Sequence, residues 1–184
     1  MEKEKYCIYL SWPRYLAQWY AHEMYRLAHT DDDVLPEYHY NCDVADVRDL
    51  EPVSTRRGSA VRSVLWECLS RQPKDYIDLP DKEATIRLVI PNMIHKPAET
   101  YNYLKPKSKD LLEKAVRYAF RFALNKYMMA MDNFSLPVKD LLAAFMENNG
   151  IELTDQNTYA VTKIWDRMRN NKLSNKSKAK NKMK

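Results

Sequence analysis

Glycine is nearly absent: the 184 residues include two, Gly58 and Gly150. A phosphate-binding loop or a dinucleotide fingerprint needs several glycines in one turn so that the backbone can approach phosphate, and both are therefore excluded. No Gly-x-Ser-x-Gly elbow and no His-Glu-x-x-His pair occurs. Cysteine is also scarce. Cys7, Cys42 and Cys68 are an odd number at unrelated spacings and imply no disulfide framework. His39 and Cys42 have metal-ligand spacing, but no second close pair completes the four ligands of a structural zinc site. Apolar runs are short, and none approaches the ~20 residues that span a bilayer. The expectation is a soluble, cytoplasmic chain with no membrane partner and no cofactor, and not an enzyme with a standard nucleotide or zinc site.

What is present is the composition of a folded protein. Hydrophobic residues make up 45% of the chain, enough for one well-buried core. The net charge of +5 is unevenly placed: the last thirteen residues, Lys172 to Lys184, hold six lysines and no acid, which leaves residues 1–171 at −1. Basic character therefore lies in the tail and in local patches, and overall pI says little about partners.

Lys5 to Leu10 alternates like a strand, with Tyr6, Ile8 and Leu10 on one face. Ser11-Trp12-Pro13 then supplies a capping serine and an early proline for a helix to about Ala28, with Leu16, Trp19, Tyr20, Met24 and Leu27 as its apolar stripe. Nine of the 21 aromatics fall in the first 40 residues, and at this periodicity they belong to a core and not to a base-stacking surface. Thr30 to Glu51 carries eight acids against one base, Arg48. Asp43, Asp46 and Asp49 recur every third residue, the material of a divalent-metal site, but no fixed calcium-loop spacing is present and a solvated acidic loop is expected.

Ser54-Thr55-Arg56-Arg57-Gly58-Ser59 reverses the sign and leads into a helix from about Ser59 to Arg71, with Val61, Val64, Leu65 and Leu69 inward. Arg56 and Arg57 beside hydroxyls at a helix start are candidate phosphate contacts. Tyr76–Leu79 and Ala84–Ile90 predict a hairpin, the second strand alternating Ile86, Leu88 and Ile90 inward. Asp78, Asp81, Lys82 and Glu83 have the residue types of a metal-dependent nuclease, but the acids and lysine sit in the turn in the wrong order. Ala98–Leu104 is a candidate short helix.

Three helices follow: Ser108 to Met131 with Ser108 as cap, Pro137 to about Asn149, and Asp155 to about Asn170. Between the last two, Gly150 suits the left-handed position that ends a helix, Ile151 folds inward, and Thr154 caps the next helix. Phe145-x4-Gly150-Ile151-x-Leu153-Thr154, then Trp165-Asp166-Arg167-Met168-Arg169, resembles the helix-turn-helix class in its general form. On the last helix Val161, Ile164, Trp165 and Met168 form the inner stripe. Gln156, Asn157 and Tyr159 are then candidate base readers, and Lys163, Arg167 and Arg169 candidate phosphate anchors. Asp166 would face a polyanion and counts against this assignment. On the long helix Lys114, Arg117, Arg121 and Asn125 line one face, a basic stripe suited to a phosphate backbone.

The sequence thus predicts one predominantly helical α+β domain over residues 1–171, with a small antiparallel sheet and a helix-turn-helix-like helical unit over 104–171. Residues 172–184 form a disordered basic tail. The expected function is non-enzymatic nucleic-acid binding, regulatory or accessory, with duplex DNA as partner and no metal. The alternative is a protein–protein interaction or structural module, an oligomer included, with no nucleic-acid affinity. It rests on the aromatic-rich first helix and on Phe120, Phe122, Leu124, Met128, Met129 and Met131, which make the end of the long helix apolar nearly all round.

Overall fold

The computed structural model describes residues 6–29, 38–74, 81–131 and 135–181, with 172–181 by backbone alone. The core is organised on helix α1, Arg14–Ala28, in which every residue from Tyr15 to Ala21 is buried. Such all-round burial in the first half of a helix requires neighbours on several sides. Strand β2 (Pro52–Ser54), helix α3 (Pro106–Ala130) and helix α5 (Asp155–Asn181) all pack against α1. Aromatic rings join these layers. Tyr15 and Trp19 lie 5.2 and 5.4 Å from Phe120 of α3, and Phe120 meets Phe145 of helix α4 (Val138–Glu147) edge-on at 5.9 Å. The early aromatics are core: Trp12, Tyr15, Trp19 and Tyr20 are all buried.

The sheet is mixed, where the sequence predicts an antiparallel one. Strand β4 (Ile86–Val89) is central and pairs antiparallel with β1 (Cys7–Leu10), Ile8 opposite Leu88 and Leu10 opposite Ile86. On its other edge β4 pairs parallel with β2, Val53 opposite Leu88. Ile8, Leu10, Val53, Ile86 and Leu88 form the buried face. Pro52 opens β2 on the edge of the sheet, where a missing N–H is tolerated. The hairpin partner predicted at Tyr76–Leu79 lies outside the described residues, as do Asp78 and Asp31–Glu37.

Several predicted boundaries move for identifiable reasons. Helix α1 starts after Pro13, and Ser11 does not cap it; its hydroxyl donates to Asp81 Oδ2 at 2.6 Å. Ser11 is thereby the main cause of the lowered pKa of Asp81. Helix α3 starts at Pro106 and not after Ser108, because a proline in the first position already has helical φ and needs no partner for an N–H. Helix α2 (Ala60–Cys68) starts where predicted, with Ser59 as its cap, but it stops short of Arg71. Leu69 and Ser70 turn extended as β3 and pair with β5 (Tyr103–Leu104), so the helix expected at Ala98–Leu104 is instead a turn and a strand. Helix α5 continues to Asn181, through most of the segment expected to be a disordered tail. Residues 172–181 contain no glycine or proline and add turns to an existing helix, which avoids the nucleation step.

Candidate nucleic-acid interface

The α4–α5 connection sets the direction of α5. Ile151 N–H donates to Met146 C=O at 2.9 Å and Gly150 N–H to Glu147 C=O at 3.1 Å, the paired bonds of a Schellman ending. Gly150 has φ +64°, and Ile151 and Met146 are both buried. Thr154 Oγ1 then accepts from Asn157 N–H at 3.2 Å as the cap of α5. Helix α1 closes over this turn. A Cβ placed on Gly150 would lie 2.7 Å from His22 Cδ2, so glycine is required both for backbone conformation and for space. Gln18, 1% exposed, uses one carbonyl to accept from Glu152 N–H at 3.3 Å and from the Asn157 side chain at 3.1 Å. Asn157 also donates to Glu152 C=O at 3.0 Å.

This network overturns one assignment made from sequence. Asn157 is 2% exposed and its amide is engaged inside the fold, so it does not reach solvent as a base reader. Asn157 falls one turn before Val161 on the inner stripe of α5, and there Gln18, 139 positions away, accepts from its amide. Gln156, Tyr159, Lys163, Arg167 and Arg169 are exposed on α5, and Val161 and Ile164 are buried beneath them. Trp165 is half-buried against the core. The connection Asn148–Thr154 is longer than the ~3–4-residue turn of a helix-turn-helix.

Helices α3 and α5 enclose an open groove of about 770 Å³. Arg117 and Arg121 line it from α3, and Tyr159, Lys163, Arg167, Arg169 and Asn170 from α5, with Pro13 and Tyr15 also on its walls. Among the described residues Asp166 is the one acid on the walls, 3.9 Å from an Arg169 nitrogen. Arg117 is held in place by Glu113 one turn earlier, with Nε to Oε1 at 2.7 Å, and donates to the Tyr15 hydroxyl at 2.9 Å. Among the described residues Arg121, Lys163 and Arg167 have no carboxylate partner, and Lys163 Nζ sits 5.3 Å over the ring of Tyr159. Burial raises the pKa of Tyr15, with Arg117 and Arg121 opposing the rise and Glu113 adding to it. The groove is thus cationic, with three charges available to a ligand.

The remaining predicted residues lie elsewhere. Lys114 is exposed on α3 but does not line the groove. Arg56 and Arg57 are exposed in the turn before α2; Arg57 borders a separate depression of about 430 Å³ with Arg62, Trp66 and Asn92–His95. Asp43 is paired with Arg14, and Asp46 accepts from Arg48 N–H at 2.9 Å. Among the described residues no cluster of histidine, cysteine and acids has the arrangement of a metal site. Sequence reading missed Tyr15 as a groove wall, for which position alone offers no signal. It also missed the anchoring of Arg117, although Glu113 at i−4 is visible in the sequence. Among the described residues no helix is long and apolar enough to cross a membrane. Comparison with protein-family models, with curated proteins and with solved structures finds no match for this chain.

Proposed function

We propose that this chain is a non-enzymatic nucleic-acid-binding protein, regulatory or accessory, that holds the phosphate backbone of duplex DNA along the α3–α5 groove. One observation carries the proposal: five cations from two helices, up to 52 positions apart in sequence (Arg117 to Arg169), line one groove that has, among the described residues, a single acid on its walls. Convergence of that kind is the electrostatic footprint of a polyanion site. Arg121, Lys163 and Arg167 are the phosphate anchors, Arg117 and Arg169 supporting cations, and Gln156 and Tyr159 the groups left to meet base edges or rings. The α4–Gly150–α5 pair acts as the helix-turn-helix-like unit that presents α5, and the six lysines after Asn171 add positive charge to the chain.

The test is fluorescence anisotropy with a labelled duplex across a salt series. Lys163→Glu with Arg167→Glu should weaken binding about tenfold or more and make the slope of log affinity against log salt shallower by roughly 2, one unit per lost phosphate contact. If the intact protein binds no duplex at ~50 mM salt, the proposal fails.

A further inference from the structure

Core and groove leave one arc of α3 unoccupied. Leu112, Val116, Phe120, Leu124 and Met128 are its buried face. Opposite them Leu111, Ala115, Tyr118, Phe122, Asn125 and Met129 succeed one another at steps of four and three. Leu111 is 52% exposed, Tyr118 76%, Phe122 64% and Met129 62%. Alternating four-and-three spacing over nearly three heptads is the seam of a coiled coil, with Leu111, Tyr118 and Asn125 at d and Ala115, Phe122 and Met129 at a.

The charges beside the seam point to its occupant. Lys107, Lys114 and Arg121 occupy g positions and Lys126 an e position, and every charged residue at these positions is basic. The acids of this stretch, Asp110 and Glu113, fall at c and f, away from the seam, and Glu113 is paired with Arg117. A second copy of this helix would set cations against cations in either orientation, which argues against self-association. A membrane surface favours an apolar arc wider than a strict two-per-heptad stripe, and here Asn125 and Lys126 interrupt the apolar surface. We infer that this face of α3 docks an amphipathic helix of another protein, with apolar residues at its a and d positions and acidic residues at the flanking e and g positions. Asn125, whose side chain reaches Met129 Sδ at 3.4 Å, puts one polar group in the seam at a d position. Leu111, Ala115, Tyr118, Phe122, Asn125 and Met129 do not line the groove, and Arg121 alone borders both surfaces.

The probe is a labelled synthetic helix of four heptads with leucine at a and d and glutamate at e and g, titrated with the full chain. Expected is saturable binding that is about tenfold or more tighter than that of the same peptide with lysine at e and g. The variant Tyr118→Ser with Phe122→Ser should lose about tenfold or more of that affinity. Both side chains are exposed, so the variant should keep its thermal midpoint and its duplex affinity, which separates loss of docking from loss of folding. Equal binding of the two peptides, or binding that survives the double substitution, overturns the inference. So does a dimer in sedimentation that the substitution dissolves, which would assign the seam to a second copy. Uptake on phosphatidylserine vesicles without peptide binding would assign it to lipid and overturn it as well.

Discussion

The two glycines sit in turns with similar local chemistry and different surroundings. Gly58 has φ +81° and Gly150 φ +64°, and each turn leads to a helix capped by a hydroxyl, Ser59 accepting from Arg62 N–H and Thr154 from Asn157 N–H. Around Gly58 the bonds are local: Ser59 N–H to Arg56 C=O at 3.2 Å, and Arg62 to Thr55 C=O at 3.1 Å. A Cβ on Gly58 would meet nothing within 4 Å. Around Gly150 the partners come from α1, more than a hundred positions away, with Gln18 bonded to Glu152 and Asn157 and His22 against the glycine itself. A turn closed only by its own residues displays side chains. A turn clamped by a distant helix fixes the direction of the next element, and α5 is the element that forms one wall of the groove.

The sharpest way to break the comparison is to put the same methyl group into both turns. At Gly58 an alanine meets only the backbone penalty of a left-handed conformation, about 1–2 kcal/mol. At Gly150 it meets that penalty and an overlap with His22, for which overpacking adds roughly 1–3 kcal/mol. Gly150→Ala should therefore cost about 2–5 kcal/mol in denaturant unfolding and Gly58→Ala clearly less. Equal losses would mean that His22 moves aside freely and that α1 does not clamp the turn.

The clamp should also respond to acid. His22 is half-buried, and its Nδ1 has no hydrogen-bond partner among the described residues. Burial lowers its pKa, opposed by Glu23 and reinforced by Arg26 and His39. A folded-state pKa below the ordinary 6.5 means that the unfolded chain binds the proton more readily. The stability His22 contributes is then complete above pH 6.5 and is lost as the pH falls through its folded value. The thermal midpoint should drop as pH is lowered from neutrality, and His22→Phe should flatten that dependence. Asp81, also lowered, acts in a separate window below its ordinary 3.8. An unchanged slope in His22→Phe would place the acid sensitivity elsewhere.

The same contrast explains how much was legible in the sequence. The Gly150 turn was: a glycine, an apolar residue and a capping threonine are short-range signals, and each takes the predicted place. The alternation of Ile86, Leu88 and Ile90 was also legible, because one buried face imposes a period of two. Strand β2 was not, since Pro52–Ser54 is too short to show a period and gains its identity only from β4. Of the candidate interface, the outward places of Gln156, Tyr159, Lys163 and Arg167 followed from the helical period, whereas Asn157, one turn before Val161, was misread and lies on the buried stripe. The meeting of α5 with Arg117 and Arg121 could not be read, because nothing local records how α3 and α5 are brought together over α1.

Two arginines adjacent in sequence provide the smallest expected effect and the cleanest check on the comparison. Arg56 and Arg57 read, as sequence, as candidate phosphate contacts: paired guanidinium groups beside hydroxyls and just before a helix. In the fold they are exposed, and neither lines the α3–α5 groove. Two isolated surface cations add a screened, non-specific attraction that fades beyond a Debye length of ~8 Å at physiological salt. Arg56→Glu with Arg57→Glu should therefore change duplex affinity by about twofold or less at that ionic strength and leave the salt slope nearly intact, whereas the same two reversals on α5 should cost about tenfold or more. A loss in the arginine pair equal to that on α5 would show that the bound duplex reaches both turns, and that closeness along the chain had been the better guide to the interface.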